Sequence, residues 1–294
     1  MPVLAEVQGV GVVVFDAGST DGSVEYLTAR SETSLIPMRV IGPQRDGESS
    51  FAHGVNAACA EAMKQWPSLE ALFLYETDNA VQSSQPLAHA ALLLDSDASI
   101  GAVGFTVRKH SGQPAGWGQR FPTVMSFLLG PHVAEKWGLT NPSSDRWREG
   151  AEFPWQTADV VYTSPLLIRR TTWEASSGLD AATFPFADCD VDWAWRVHLL
   201  GLKLAVIRTD QVIHDNSDAL SNWSQTRVQH FHQARLALLK RYSGDWIGVL
   251  KPLLWLRHVM EWLALVLAAP MRQNARRSLQ KRWRLMGSVM RDYR

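Results

Sequence analysis

The stretch Val10–Phe15, reading VGVVVF, crowds β-branched residues into a few positions and then breaks into Asp16 and the turn-forming AGSTDGS. A short apolar run bounded in this way suits a strand buried on both faces, as in a parallel sheet covered by helices. Two further runs repeat the pattern. Met38–Ile41 (MRVI) and Ala71–Tyr75 (ALFLY) predict strands, and the second ends in Glu76, Thr77 and Asp78. Between them the spacing predicts helices, one after Asp21 with Val24, Leu27 and Thr28 facing inward, and one over 51–66 with Phe51, Val55, Cys59 and Met63 four apart. Ser19, Thr20 and Asp21 are the candidate caps of the first.

A helix over 87–94, a strand over 100–107, a strand region over 160–168, a helix near 172–176, a helix over 190–200 and a strand over 202–207 leading to His214 continue the alternation. The pattern predicts an α/β fold with a mainly parallel, mixed sheet flanked by helices. In such folds ligands bind where the carboxyl ends of strands meet the loops, and Asp16 and the Glu76–Asp78 pair fall at such ends. Residues 110–156, rich in Gly, Pro, Ser and Trp, read as an insertion or lid with one helical piece over 131–137. After Trp223 the pattern is helical to the end, which predicts a domain over 1–222 and a helical C-terminal appendage over 223–294.

The net charge is zero, so the chain as a whole is not built to attract nucleic acid. Its charge is nevertheless lopsided. From Arg272 to Arg294 eight basic residues stand against the single acid Asp292, which suggests an anionic surface nearby. Leu256, Val259, Met260, Leu263 and Leu267 form an apolar stripe just before it, with Arg257 and Glu261 set for an i,i+4 pair. This helix either lies on a membrane or packs on the rest of the chain. No window reaches the roughly 18 apolar residues of a spanning helix. The N-terminus has no basic segment ahead of an apolar one and does not read as a signal peptide. The two cysteines, Cys59 and Cys189, have no metal-ligand spacing, which fits a reducing cytoplasm.

Carboxylates carry the chemical signal. Glu76 and Asp78 flank Thr77, and in an extended segment both would face one site, where a hard cation and a phosphate could meet them. Asp188, Asp190 and Asp192 lie within five residues after Phe184 and Phe186. One acid at a helix start serves as a cap or dipole partner, whereas three repel one another unless a cation or a proton-transfer role offsets the cost. Each is a candidate general base for transfer to a hydroxyl.

These segments, in order, resemble the family 2 inverting glycosyltransferases of the GT-A group, which includes rhamnosyltransferases. VVVFDAGSTDGSVEYL is similar to the family's nucleotide-binding stretch, SFAHGVNAA to its Gly-Phe-Ala-x-Gly-x-Asn-x-Gly, LYETDNAV to its Leu-Asn-x-Asp, and GLDAATFPFADCDVDWAWRVHLLG to its acidic motif; VIHDN matches a strand-then-His element. The resemblance covers roughly 10–215. It implies a GT-A-like fold and metal-assisted transfer, with inversion, from a nucleotide-diphosphate sugar. Asp16 would contact the donor's base or ribose, with Glu76 beside the donor. Asp78 would ligate Mg²⁺ or Mn²⁺, and His214 would bind metal or diphosphate. Asp190 would be the base, supported by Asp188, Asp192 and Arg196. Asn56 would lie beside the nucleotide or pack its helix. dTDP-rhamnose is the first donor suggested, and the acceptor would be a cell-surface glycan or a lipid-linked one, reached from the cytoplasm or the inner membrane face.

Some features depart from the family pattern. Its first strand, with a Pro-x-Tyr-Asn-like signature, would precede Val10, where nine residues stand, so the first strand–helix unit is expected to be missing. Cys189 replaces a glutamate, and Thr163 and Ser164 replace a Gly-Ala pair before LLIRR. A catalytically degenerate scaffold in glycan assembly is the alternative reading. A haloacid dehalogenase, suggested by VVVFDAGST, would need an acid at position 18, which is glycine.

Overall fold

Val12–Phe15 (β1) and Met38–Ile41 (β2) pair in parallel, Val12 opposite Met38 and Phe15 opposite Ile41. These belong to a computed structural model that describes residue 7 and residues 9–45, 48–139, 146–149, 152–214, 225–244, 247–268, 279–280, 282–284 and 286–287. The chain divides into two compact units, Met1–Phe121 with Pro142–Asp218, and Pro122–Asn141 with Ala219–Arg294.

In the first unit, Ser23–Thr33 (α1) links β1 to β2. Its N-cap is Gly22, in the left-handed region at φ 87°, and no side chain caps it. Asp21 instead accepts from the backbone N–H and hydroxyl of Ser23, closing the turn before the helix. Val24 and Leu27 are half-buried, but Thr28 is exposed and spends its hydroxyl on the Val24 carbonyl. Phe51–Gln65 (α2) packs on β1, capped by Ser50. The approach is close enough that a Cβ on Gly54 would meet the Phe15 ring at 2.6 Å.

The main sheet has five strands in the order Ala71–Leu74 (β3), Leu166–Arg169 (β11), Ile100–Phe105 (β5), Lys203–Ile207 (β12) and Trp155–Ala158 (β9). It is mixed: β5 and β12 are parallel, while β11 runs against both β3 and β5, and β9 against β12. Every residue of β5 is buried, as expected of a strand covered on both faces. Gln85–Ser96 (α3) places Ala90, Leu93 and Leu94 on Val103, Phe105, Ala205, Ile207 and Leu167, the alternate positions of three strands. Cys189–Leu199 (α7) packs on β12, and Arg170–Ala175 (α6) on β11.

A second sheet contains Asn79–Val81 (β4), Val212–His214 (β13), Val107–Arg108 (β6) and Pro114–Gly116 (β7), in that order. Gly118–Gln119 (β8) pairs with Val160–Val161 (β10). The segment read as an insertion is therefore shared out. Its β7, β8 and the start of β9 belong to the first unit. Its two short helices, Val124–Leu129 (α4) and Pro131–Lys136 (α5), belong to the second.

The second unit also contains Gln225–Ser243 (α8) and Ile247–Ala268 (α9). A Thr123–Ser126 capping box starts α4. Phe127, Leu236, Leu239, Leu250 and Leu254 form the core that joins α4, α8 and α9. Arg257 pairs with Glu261 as the spacing predicts, at 2.9 Å. Among the described residues no helix is long and apolar enough to cross a membrane. Most of the residues ahead of Val10, where the first strand–helix unit is expected to be missing, and most of the basic tail lie outside the described residues.

Candidate active site

The residues that end the strands build the site. At the end of β3 the chain turns over Glu76–Asn79, closed by the Asn79 N–H donating to the Glu76 carbonyl at 3.2 Å. The segment is thus a turn and not extended, and the alternation expected to aim Glu76 and Asp78 together does not apply. A buried hydroxyl fixes its shape. Ser164 Oγ, before β11, accepts from the Glu76 N–H at 2.6 Å and from Asn79 Nδ2 at 2.8 Å. Asn79 Nδ2 also reaches Asp78 Oδ1 at 3.2 Å. Tyr75 donates its hydroxyl to the Asn79 carbonyl.

On the other side, β13 pairs antiparallel with β4 so that His214 stands opposite Asn79. The register brings His214 Nε2 within 3.3 Å of Asp78 Oδ2. Asp78 is exposed and His214 half-buried, so the pair is open to a ligand on one side. These two are the residues that the resemblance assigns to a metal. Among the described residues no group of three or more His, Cys, Asp or Glu could hold an ion. A carboxylate and an imidazole side by side fit a divalent cation whose remaining positions are filled by phosphate oxygens. The buried Asn79 Oδ1 on the same turn has no hydrogen-bond partner, a further oxygen donor in the vicinity.

Asp16, at the end of β1, accepts at Oδ1 from the backbone N–H groups of Ser19 at 2.7 Å and Gly18 at 2.9 Å. The Ser19 bonds, above all from its backbone, hold the Asp16 carboxyl below the usual carboxylate range. The residue therefore shapes its own loop with one oxygen. Asn56 on α2 donates to the Leu179 carbonyl at 2.7 Å and accepts from the Leu179 N–H at 2.8 Å. Asn56 thus ties α2 to the loop before the acidic motif. Gly178 permits it, because a Cβ there would meet Asn56 Oδ1 at 2.7 Å and its φ is +64°.

The three acids of that motif separate into different environments. Asp188 is the N-cap of α7, buried and in the left-handed region at φ 58°. Asp192 has no exposed surface and pairs with Arg196 one helical turn on, at 2.9 Å; the guanidinium also donates to the Ser176 carbonyl. Trp193 beside it donates to Ser176 Oγ at 2.8 Å. Asp190 is half-buried in the first turn of α7. Burial, and then the Asp190 charge, push the Tyr162 hydroxyl up from its ordinary range, which places that hydroxyl in the carboxylate's field. Burial likewise pushes up the Cys189 thiol, with Asp190 adding to it.

The structure thus unites Asp78 with His214, and Asp192 with Arg196. Ser164 is a contributor that residue patterns did not reveal. Ser164 stands 88 positions from the turn it fixes, and only the pairing of β11 with β3 brings it there.

No family model and no curated protein matches the sequence. Solved structures do. GalNAc-T7, crystallised with UDP, GalNAc and Mn²⁺, is 11% identical with a TM-score of 0.55, over 80% of this chain and 42% of that one. The chain thus spans about two-fifths of that protein's length. S. aureus TarS 1–349, in complex with UDP, is 11% identical with a TM-score of 0.44, over 100% of this chain and 87% of that one. The likeness to GalNAc-T7 shows a GT-A-like α/β fold.

Proposed function

We propose that the chain is an inverting glycosyltransferase that moves a sugar from a nucleotide-diphosphate donor to a glycan hydroxyl. The observation that carries this reading is the 3.3 Å approach of His214 to Asp78 at adjoining strand ends, with an acid-rich helix start on the same unit. Asp78 and His214 would hold Mg²⁺ or Mn²⁺. When bound, the cation would offset the negative charge that develops on the departing diphosphate. Asp190 takes the proton of the acceptor hydroxyl. The acceptor oxygen then bonds to the anomeric carbon from the face opposite the diphosphate, and the diphosphate leaves with the electrons of the broken C–O bond.

GalNAc-T7, whose structure contains UDP and Mn²⁺, supports a nucleotide donor and a divalent metal as classes. The reading assigns the transfer chemistry to 1–222, with Asp16 and Glu76 on the donor side, and takes a cell-surface or lipid-linked glycan as acceptor at the cytoplasmic face of a membrane. dTDP-rhamnose is the first donor to try. The test is thermal unfolding of the full chain with UDP, dTDP or GDP, each with and without Mn²⁺. One nucleotide should raise the midpoint only when Mn²⁺ is present, and His214→Ala should abolish the rise. A midpoint indifferent to every nucleotide–metal pair would overturn the reading and favour a non-catalytic scaffold.

A further inference from the structure

The helix α9 carries apolar side chains on two sides, and among the described residues only one of those sides is covered. Leu250, Leu254 and His258 are buried on the inner side, the first two against Phe127, Leu236 and Leu239. On the outer side Val249, Leu253, Leu256, Met260, Leu263 and Leu267 are exposed, from 41% to 82%. Their spacing alternates between four and three, which keeps all six on one line along about 27 Å of helix. A helix apolar all round is stable when both faces are covered, and a stripe of this length on a surface marks a place where something docks.

Charge says what docks. The helix has one acid, Glu261, and it is neutralised within the unit by Arg257 at 2.9 Å and Arg282 at 2.6 Å. The outer stripe therefore presents no carboxylate. The sequence that follows carries eight basic residues and one acid between Arg272 and Arg294. Trp255 flanks the stripe and is exposed, as is Trp283, whose ring packs on Trp262 at 6.0 Å. A second copy of the chain could match the stripe, but it would also bring a second basic segment against the first.

We propose that the outer face of α9 docks on an anionic lipid surface, its leucines entering the boundary between headgroups and acyl chains and the basic segment meeting lipid phosphates. Tryptophans at the flanks suit that interface, where an amphipathic ring has one apolar side and one wet edge. The docking needs no donor nucleotide and stands independently of the transferase reading.

The test is co-sedimentation of the full chain with vesicles of phosphatidylcholine alone or mixed with phosphatidylglycerol, without nucleotide. Binding is expected to the mixed vesicles only and should weaken as salt rises. Leu256→Glu with Leu263→Glu should lower the bound fraction by more than about tenfold. Met260→Gln with Leu267→Gln, at the most exposed positions, repeats the test with a milder change. Far-UV circular dichroism shows that each variant stays folded. Unchanged binding in folded variants, or no binding to anionic vesicles, would overturn the proposal. A wild-type dimer that these substitutions split would assign the face to a second copy instead.

Discussion

Three aspartates within five residues have three different fates, and their surroundings separate them. Asp192 has no exposed surface and its partner Arg196 is its neighbour one turn on, so the pair belongs to the helix and its packing. Asp190 in the same first turn is half-buried, with Tyr162 in its field. Substitution should therefore divide them. Asp190→Asn should leave urea unfolding unchanged and, on the proposed chemistry, lower transfer by about 10²–10⁴-fold. Arg196→Ala removes the guanidinium that faces the buried Asp192 carboxylate and should cost about 3 kcal/mol of unfolding free energy. The spacing of the acids was legible in the sequence, and with it the Arg196 partner one turn beyond Asp192. Asp188 adopting a left-handed N-cap conformation was not legible, because a backbone angle of that kind is set by how the loop closes on α7.

At the level of single elements, the short β-branched runs identified their strands almost residue for residue. Met38–Ile41 is β2, and Val12–Phe15 lies within the run that opened the reading. The pattern located these strands but not their depth. β1 and β2 form a two-stranded sheet and are at most half-buried. The expectation that β1 is buried on both faces therefore fails, and β5 is the strand that is. The pattern is weak across 110–156, where β7 and β8 are two or three residues long and draw their stability from partners far away, such as β8 from β10. The Glu76–Asn79 turn shows the same limit. Its sequence suited an extended segment, and Ser164 made it a turn. Removing that hydroxyl leaves the Glu76 N–H and the Asn79 amide without their shared acceptor. Ser164→Ala should cost about 2 kcal/mol in chemical denaturation. On the proposed reading it should also weaken Mn²⁺-dependent nucleotide binding through Asp78, whereas Ser164→Thr should restore much of both.

The two units should part company as pH falls. In the second, His232 Nε2 and His258 Nε2 are 3.1 Å apart, and the Arg282 guanidinium sits 3.0 Å from His258 Nδ1, nearer than Glu261 at 3.5 Å. A guanidinium only donates, so Nδ1 of His258 is the bare nitrogen and its Nε2–H donates to His232. The His232 proton then sits on Nδ1, buried with no partner. Burial first, then the charges of His258, Arg257 and Arg282 against that of Glu261, hold the folded His232 down to about 3 from an ordinary 6.5. Burial also lowers His258. For Glu261 burial works the other way, but the guanidinium charges of Arg257 and Arg282 hold the carboxyl down, at about 2 from 4.5. A depressed histidine contributes stability that is complete above 6.5 and is lost as pH falls toward 3; the depressed Glu261 adds its own loss between 4.5 and 2. Thermal scans should show the second unit melting at progressively lower temperature below about pH 6.5, and His232→Gln should flatten that decline.

The hydroxyl that shapes the Asp78 turn lies 88 residues further along the chain, and His214 comes later still. A ribosome makes these groups in order, so the emerging chain displays Asp78 long before anything can position it. Closing loops of that length must precede the contacts that reward them. On the proposed chemistry the first half of the chain should not bind a nucleotide by itself, and protein fragments ending before β13 should be inert toward Mn²⁺ even where their early strands have folded.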